Sequence, residues 1–151
     1  MIFRAYYPSP VGTLAVVCGD CAVLGVGPAD GMGESVPSPL TERVNAQLCE
    51  YFGGRRKTFD LPLEPAGTEF QRKVWRALCE IPYGETRSYG EIARAVGNPN
   101  ASRAVGAANH RNPIMIMIPC HRVIGASGAL VGYGGGLPMK QYLLELEKQH
   151  R

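Results

Sequence analysis

The sequence predicts an α/β (α+β) protein in two parts, a β-rich first third and a helical remainder carrying a helix-turn-helix. Three observations predict it. Short β-branched runs, TLAVVC and AVLGVG, flank Gly19-Asp20. Apolar residues recur at helical spacing from Leu40 and again from Phe70. Between those stretches lies EPAG, residues 64 to 67, a linker that places the boundary near residue 64.

The elements follow in order. Gly19-Asp20 reads as the turn of a β-hairpin. Residues 27 to 39, GPADGMGESVPSP, read as a loop. In LTERVNAQLCEYFGG, Leu40, Val44, Leu48, Tyr51 and Phe52 form one stripe, and Gly53-Gly54 ends the helix. KTFDLPL predicts a strand. TEFQRKVWRALCEIP puts Phe70, Val74, Trp75, Leu78 and Ile81 on one helical face, and Pro82 stops it. SYGEIARAVG opens on Ser88 with Glu91 three residues later, a capping box, and Gly97 suits the C-terminal end. NPN is a tight connection with Asn100 as N-cap, and ASRAVGAANH is the second helix of the pair. IMIMI, residues 114 to 118, predicts a short extended segment buried on both sides. VIGASGALVGYGGG is glycine-rich, and MKQYLLELEK closes as an amphipathic helix.

A chain of 151 residues with 45% hydrophobic content fits one ordinary domain or two small ones. No apolar run approaches the about 20 residues that span a bilayer, and MIFRAYYPSP lacks the apolar core of a signal peptide. A soluble, cytoplasmic protein without a membrane partner is expected. Five cysteines, at 18, 21, 49, 79 and 120, are an odd and scattered set, unlike a secreted disulfide framework.

The net charge of +3 is unevenly spread. Residues 1 to 63 hold five Lys/Arg against six Asp/Glu, and residues 64 to 151 hold eleven against seven. No acid lies between Glu91 and Glu145, while Arg94, Arg103, Arg111, Arg122 and Lys140 do. Such a stretch suits a polyanionic partner or is a mildly basic surface. The second helix of the pair is faced with small residues, Ala101, Ser102, Ala104, Gly106, Ala107 and Ala108, with Arg103 its one long cation. It can pack closely on another helix or approach a nucleic-acid backbone.

IPCHRVIG, residues 118 to 125, sets Cys120 beside His121. A thiol attacks as its thiolate, and a free pKa of about 8.5 leaves little of it at neutral pH. Activation needs a base, and the base an orienter. Neighbours on a strand face opposite ways, so either the chain turns at Pro119-Cys120 or a water carries the proton to His121. Glu145 and Glu147 are the downstream carboxylates that could orient the imidazole. A buried structural cysteine is the other reading. Cys18 and Cys21 form a CxxC, but no second pair follows at zinc-site spacing.

IPCHRVIGASG, preceded by NPI and SRAVGAAN, resembles the O6-alkylguanine-DNA alkyltransferases, also called methylated-DNA–protein-cysteine methyltransferases. The resemblance runs from about Phe70 to Glu147 and includes IPYGETRSYGEIA and GYGGGLPMK. YYPSPVGTL is its best stretch in the N-terminal region. It implies a small ribonuclease-H-like domain over residues 1 to 63 and a winged-helix-like catalytic domain over residues 64 to 151. It implies irreversible, single-turnover transfer of an alkyl group from O6 of guanine in double-stranded DNA to one cysteine, by a monomer that can bind DNA cooperatively. No cofactor is expected. Some relatives hold zinc, but no full ligand set maps here, so no metal is expected either.

The resemblance also assigns roles. Cys120 corresponds to the alkyl acceptor, His121 to its base acting through a water, and Glu147 to the carboxylate behind the imidazole. Asn112 corresponds to the residue bracing the nucleophile's loop. Arg103 matches the arginine that fills the gap left by the extruded guanine. Tyr89 matches the tyrosine that crowds the target phosphate and gives guanine a proton. Ala101, Ser102, Gly106 and Arg111 fall on the DNA-facing side, and His110, Met115, Val123, Tyr133 and Gly134 on the substrate pocket. Relatives often carry proline where Met115 stands.

These roles fit the chemistry, because the reactive carbon is reached only after the nucleotide leaves the stack. A minor-groove reader is also largely indifferent to sequence. The reading requires a sulfur ionised at the mouth of a cavity. A DNA-binding module without chemistry and a cysteine hydrolase are the other classes open to a Cys-His-Glu set.

Overall fold

The computed structural model describes residues 1–31, 33–128, 130 and 132–151. The loop at 27 to 39 and the glycine-rich segment therefore fall partly outside the described residues. Strands β1 (Phe3–Tyr7), β2 (Leu14–Cys18) and β3 (Val23–Pro28) form an antiparallel meander in the order β1-β2-β3. The expected hairpin is there, with Leu14 opposite Pro28 and Val16 opposite Val26. Alternation decides which face is buried: Leu14, Val16 and Cys18 of β2 point into the core. Helix α1 (Pro39–Phe52) lies over that face and buries Val44, Leu48 and Tyr51. Ser38 and Thr41 form a capping box at its start, which contributes about 1 kcal/mol.

Helices α2 (Glu69–Cys79), α3 (Tyr89–Ala95) and α4 (Ser102–His110) build the second part. Val74, Trp75 and Leu78 meet Ile92, Ala93, Val105 and Ala108 in one apolar cluster continuous with the sheet's core. Burying a side chain of this size stabilises by roughly 1.5–3 kcal/mol. Trp75 gives its indole N–H to the Ala108 carbonyl at 2.8 Å, so α4 is both packed and bonded to α2. Ser88 and Glu91 cap α3 as expected. Short strands β4 (Arg87–Ser88) and β5 (Val123–Ile124) pair in parallel, and α5 (Leu137–Gln149) closes the chain. Among the described residues no helix is long and apolar enough to cross a membrane.

Three local expectations are corrected. KTFDLPL is not a strand. Asp60 is held from α1 by side chains instead, its carbonyl accepting from Arg43 and Gln47 and its N–H donating to Gln47, and only Leu63 bridges to Val23. Asn100 does not cap α4: the N-cap is Ala101, which offers no side-chain acceptor. IMIMI is fully buried but folds as a turn, with Ile114 bridged to Val26 and Met115 to Ile118. The Val26 N–H donates to the Pro113 carbonyl and the Met115 N–H to the Val26 carbonyl, both at 2.9 Å. The N-terminal sheet thus anchors the segment that leads to Cys120.

Candidate functional site: a cysteine, a histidine and a buried carboxylate

The turn that presents Cys120 is made of two tight reversals. Ile116 has φ 74°, and the Met117 N–H donates to the Met115 carbonyl at 2.8 Å, a γ-turn. A β-branched residue in that region is strained by about 1–3 kcal/mol and persists only where its surroundings impose it. Here buried neighbours and the bridge to β3 impose it. Pro119, at φ −80° and ψ 64°, makes the inverse turn, with the Cys120 N–H donating to the Ile118 carbonyl at 2.7 Å. A single 3-10 turn, Cys120–Arg122, follows. The chain therefore turns at Pro119-Cys120, and the opposed facing of strand neighbours does not apply.

Side chains clamp this turn from three elements. Asn112 donates its amide N–H to the Ile118 carbonyl at 2.7 Å and accepts from the Ile114 N–H at 3.0 Å. Asn109, from α4, donates to the Cys120 carbonyl at 3.3 Å. Lys140, from α5, donates to the Val123 carbonyl at 2.6 Å. Unpaired backbone groups this deep cost about 1–3 kcal/mol each, so each clamp removes a penalty and fixes a position.

Both members of the Cys-His pair sit in the interior. Cys120 is 1% exposed and His121 0%. His121 Nε2 lies 2.6 Å from Glu147 Oε2. Glu147 Oε1 accepts from Arg122 Nε at 2.8 Å and from the Gly84 N–H at 3.1 Å. Its Oε2 also accepts from Arg122 Nη2 at 3.0 Å and from the Tyr51 hydroxyl at 2.6 Å. Burial alone would raise the Glu147 pKa, but the hydrogen bonds and charges of His121 and Arg122 outweigh it and hold the carboxyl well below its ordinary range. Burial pushes the His121 imidazole the other way, down from 6.5, so it is neutral at physiological pH. A neutral ring facing a carboxylate through Nε2 carries its proton there. Nδ1, which has no hydrogen-bond partner among the described residues, is then the basic nitrogen.

Burial pushes the Cys120 thiol up to about 11, even though Asn112, the Tyr133 hydroxyl and the Lys140 charge all favour the thiolate. This corrects the expectation of an ionised sulfur at a cavity mouth. The resting sulfur is a buried thiol, and it needs a proton acceptor to react. Tyr133's buried hydroxyl makes no well-formed hydrogen bond among the described residues and faces this sulfur. Tyr89, first residue of α3, is half-buried, and its phenol feels the Cys120 charge after burial itself. The β4–β5 pairing, with Ser88 opposite Ile124, brings the start of α3 beside the end of the Cys120 turn.

The remaining candidates divide into two sets. Gly134 packs against Met115 and the His110 carbonyl so closely that an added Cβ would stand 2.8 Å and 3.2 Å from them. Val123 is fully buried beneath, while the His110 side chain is exposed. On α4, Arg103 is exposed, Ala101, Ser102 and Gly106 are half-buried, and the Tyr89 ring lies against Gly106. Arg94 and Arg111 are exposed as well. Arg122 and Lys140 are not surface cations: they are 6% and 0% exposed and serve Glu147 and the Val123 carbonyl. Of the cations in the acid-free stretch, the exposed ones are therefore Arg94, Arg103 and Arg111.

Sequence reading missed Tyr51, Asn109 and the inward role of Arg122. Nothing local marks Tyr51, an apolar-stripe residue of α1. For Arg122, its place beside His121 was the available signal.

Comparison with known proteins gives the family. The model described as 6-O-methylguanine DNA methyltransferase, DNA binding domain, matches residues 69–149, and its ribonuclease-like domain partner matches residues 2–65. A methylated-DNA–protein-cysteine methyltransferase of Methanosarcina acetivorans is 50% identical over 153 residues, spanning 97% of this chain and 98% of that protein. The crystal structure of Mycobacterium tuberculosis O6-methylguanine methyltransferase superimposes with a TM-score of 0.90 at 47% identity, covering 100% of this chain and 95% of that one. That of Mycobacterium tuberculosis OGT in complex with DNA gives 0.89 at 48%, covering 97% and 93%. With both of its parts matched and near-complete coverage of such relatives, the chain belongs to the 6-O-methylguanine DNA methyltransferase family.

Proposed function

We propose that this protein repairs alkylated DNA by direct reversal, moving the alkyl group of O6-alkylguanine in duplex DNA irreversibly to Cys120. The observation that carries the reading is the buried Cys120-His121-Glu147 set, in which the imidazole is neutral and its Nδ1 lone pair has no partner among the described residues. The proton of the Cys120 thiol passes through a water to Nδ1, and Glu147 stabilises the imidazolium as it forms. The thiolate attacks the alkyl carbon, the carbon–O6 bond breaks, and the Tyr89 hydroxyl gives guanine a proton as it leaves. The thioether that remains has no route back to a thiol, so each molecule reacts once.

Double-stranded DNA carrying the lesion is the partner. Arg103, alone and exposed on the small-residue helix α4, fills the space of the flipped base, which offsets a few kcal/mol of unstacking. Ala101, Ser102 and Gly106 let α4 approach the minor groove, and Arg94 and Arg111 meet phosphate. Asn112 braces the acceptor turn, and His110, Met115, Val123, Tyr133 and Gly134 line the base pocket. We assign residues 1–63 to the ribonuclease-like domain and 64–151 to the DNA-binding catalytic domain, which the two matched segments support.

Intact-mass measurement after mixing with an O6-methylguanine oligonucleotide tests the reading. One methyl group per protein, on Cys120 and lost in Cys120→Ala, is expected. No mass gain under reducing conditions overturns it.

A further inference from the structure

Glu147 Oε2 carries more than its place behind a histidine requires. It accepts from His121 Nε2, from Arg122 Nη2 and from the Tyr51 hydroxyl. The first two donors lie on the catalytic turn, but Tyr51 comes from α1, ninety-six residues earlier in the chain. Its ring is fixed among Phe52, Phe59 and Tyr83, with centroids 5.5, 5.5 and 6.2 Å away. Burial first, and then the Glu147 charge, keep the phenol protonated throughout the working range, so it remains a donor.

We propose that Tyr51 is a positioning residue of the alkyl transfer, the N-terminal part's own contribution to the reaction: its hydroxyl holds the carboxylate oxygen that bonds the base and limits that oxygen's pull on the imidazole. The inference rests on the proposed function. A donor at 2.6 Å draws charge from the oxygen it contacts, and the imidazole that shares that oxygen is then less readily protonated. The other groups facing this pair are Arg122 on the same turn, Lys140 on α5, Tyr83 after α2, and Tyr133. Arg122 and Lys140 hold the imidazole neutral in the same sense as Tyr51. Tyr51 differs in being supplied from the other part of the fold, so the seating of α1 bears on the basicity of the histidine through Glu147.

Tyr51→Phe removes the hydroxyl and keeps the ring. In unreacted full-length protein, the NMR titration midpoint of His121 is expected to rise by about half to one pH unit. The acid limb of the reaction rate with free O6-benzylguanine is expected to rise with it. Phe59→Leu disturbs the same ring cluster without touching Glu147, and it should lower the melting temperature while leaving both midpoints in place. A His121 midpoint unchanged in Tyr51→Phe overturns the proposal, as does an equal shift in Phe59→Leu or no titration in either protein before acid unfolding. The His121 titration needs no chemistry. A wild-type protein that gains no alkyl mass would count against the proposed function, while the titration would still judge Tyr51.

Discussion

His121 Nε2 and Glu147 Oε2 stand 2.6 Å apart with neither residue more than 1% exposed. The contact joins the 3-10 turn after Pro119 to the last turns of α5, and it decides which imidazole nitrogen is free to act.

Glu147→Gln keeps the shape but removes the charge. Arg122 is then left buried without its counter-ion, which costs about 3–5 kcal/mol. The imidazolium also loses its partner, and alkyl transfer should slow by about 100-fold or more. Thermal unfolding and single-turnover rates check the two effects separately.

Acid should lower stability through His121 and Glu147. The folded pKa of His121 lies below its ordinary 6.5, and that of Glu147 below its ordinary 4.5. Both groups bind protons more readily in the unfolded chain, so their stabilisation is full above those values and is lost as pH falls through the folded ones. Stability should decline from about pH 6.5 downward, and the transfer rate should fall with a midpoint below the ordinary histidine value. A rate that halves at pH 6.5 would contradict this.

Methylation of Cys120 should destabilise the protein. Its side chain is 1% exposed among Asn112, Tyr133 and Lys140, and an added methyl group in a packed site costs about 1–3 kcal/mol. The reacted protein should melt several degrees lower than the unreacted one, and an unchanged melting temperature would contradict it.

The inward and outward cations should separate by salt. Arg111→Ala, at an exposed site, should lessen the salt dependence of DNA binding by about one counterion. Arg122→Met should leave that slope alone and lower stability, because this guanidinium bonds Glu147 and the Ile81 carbonyl. Fluorescence titration at several salt concentrations distinguishes them.

Arg103→Ala should slow repair in duplex DNA by at least about tenfold, since a few kcal/mol of base unstacking would lose its compensation. Reaction with free O6-benzylguanine should be unchanged. Equal losses on both substrates would remove Arg103 from the flipping step.

Much of the local structure was legible because it is encoded by neighbours in sequence. The turn at Gly19-Asp20, the Ser88-Glu91 cap and the stripes of α1, α2 and α5 each depend on residues a few positions apart, where period and capping chemistry operate. The motif around Cys120 and His121 was legible for the same reason. IMIMI was not, because five apolar residues in a row carry no period that separates a strand from a buried turn. KTFDLPL looked extended because its pattern could not show that α1 side chains would take its hydrogen bonds.

What the sequence by itself determined is therefore the helices, the β2–β3 hairpin and the adjacency of Cys120 and His121. Only the tertiary structure decided that Arg122 and Lys140 face inward, that Tyr51 meets Glu147 across ninety-six residues, and that the resting sulfur is a buried thiol. A charge in a sequence has no address until packing sets how much water reaches it, and burial, more than residue type, moved the cysteine and the histidine from their ordinary pKa values.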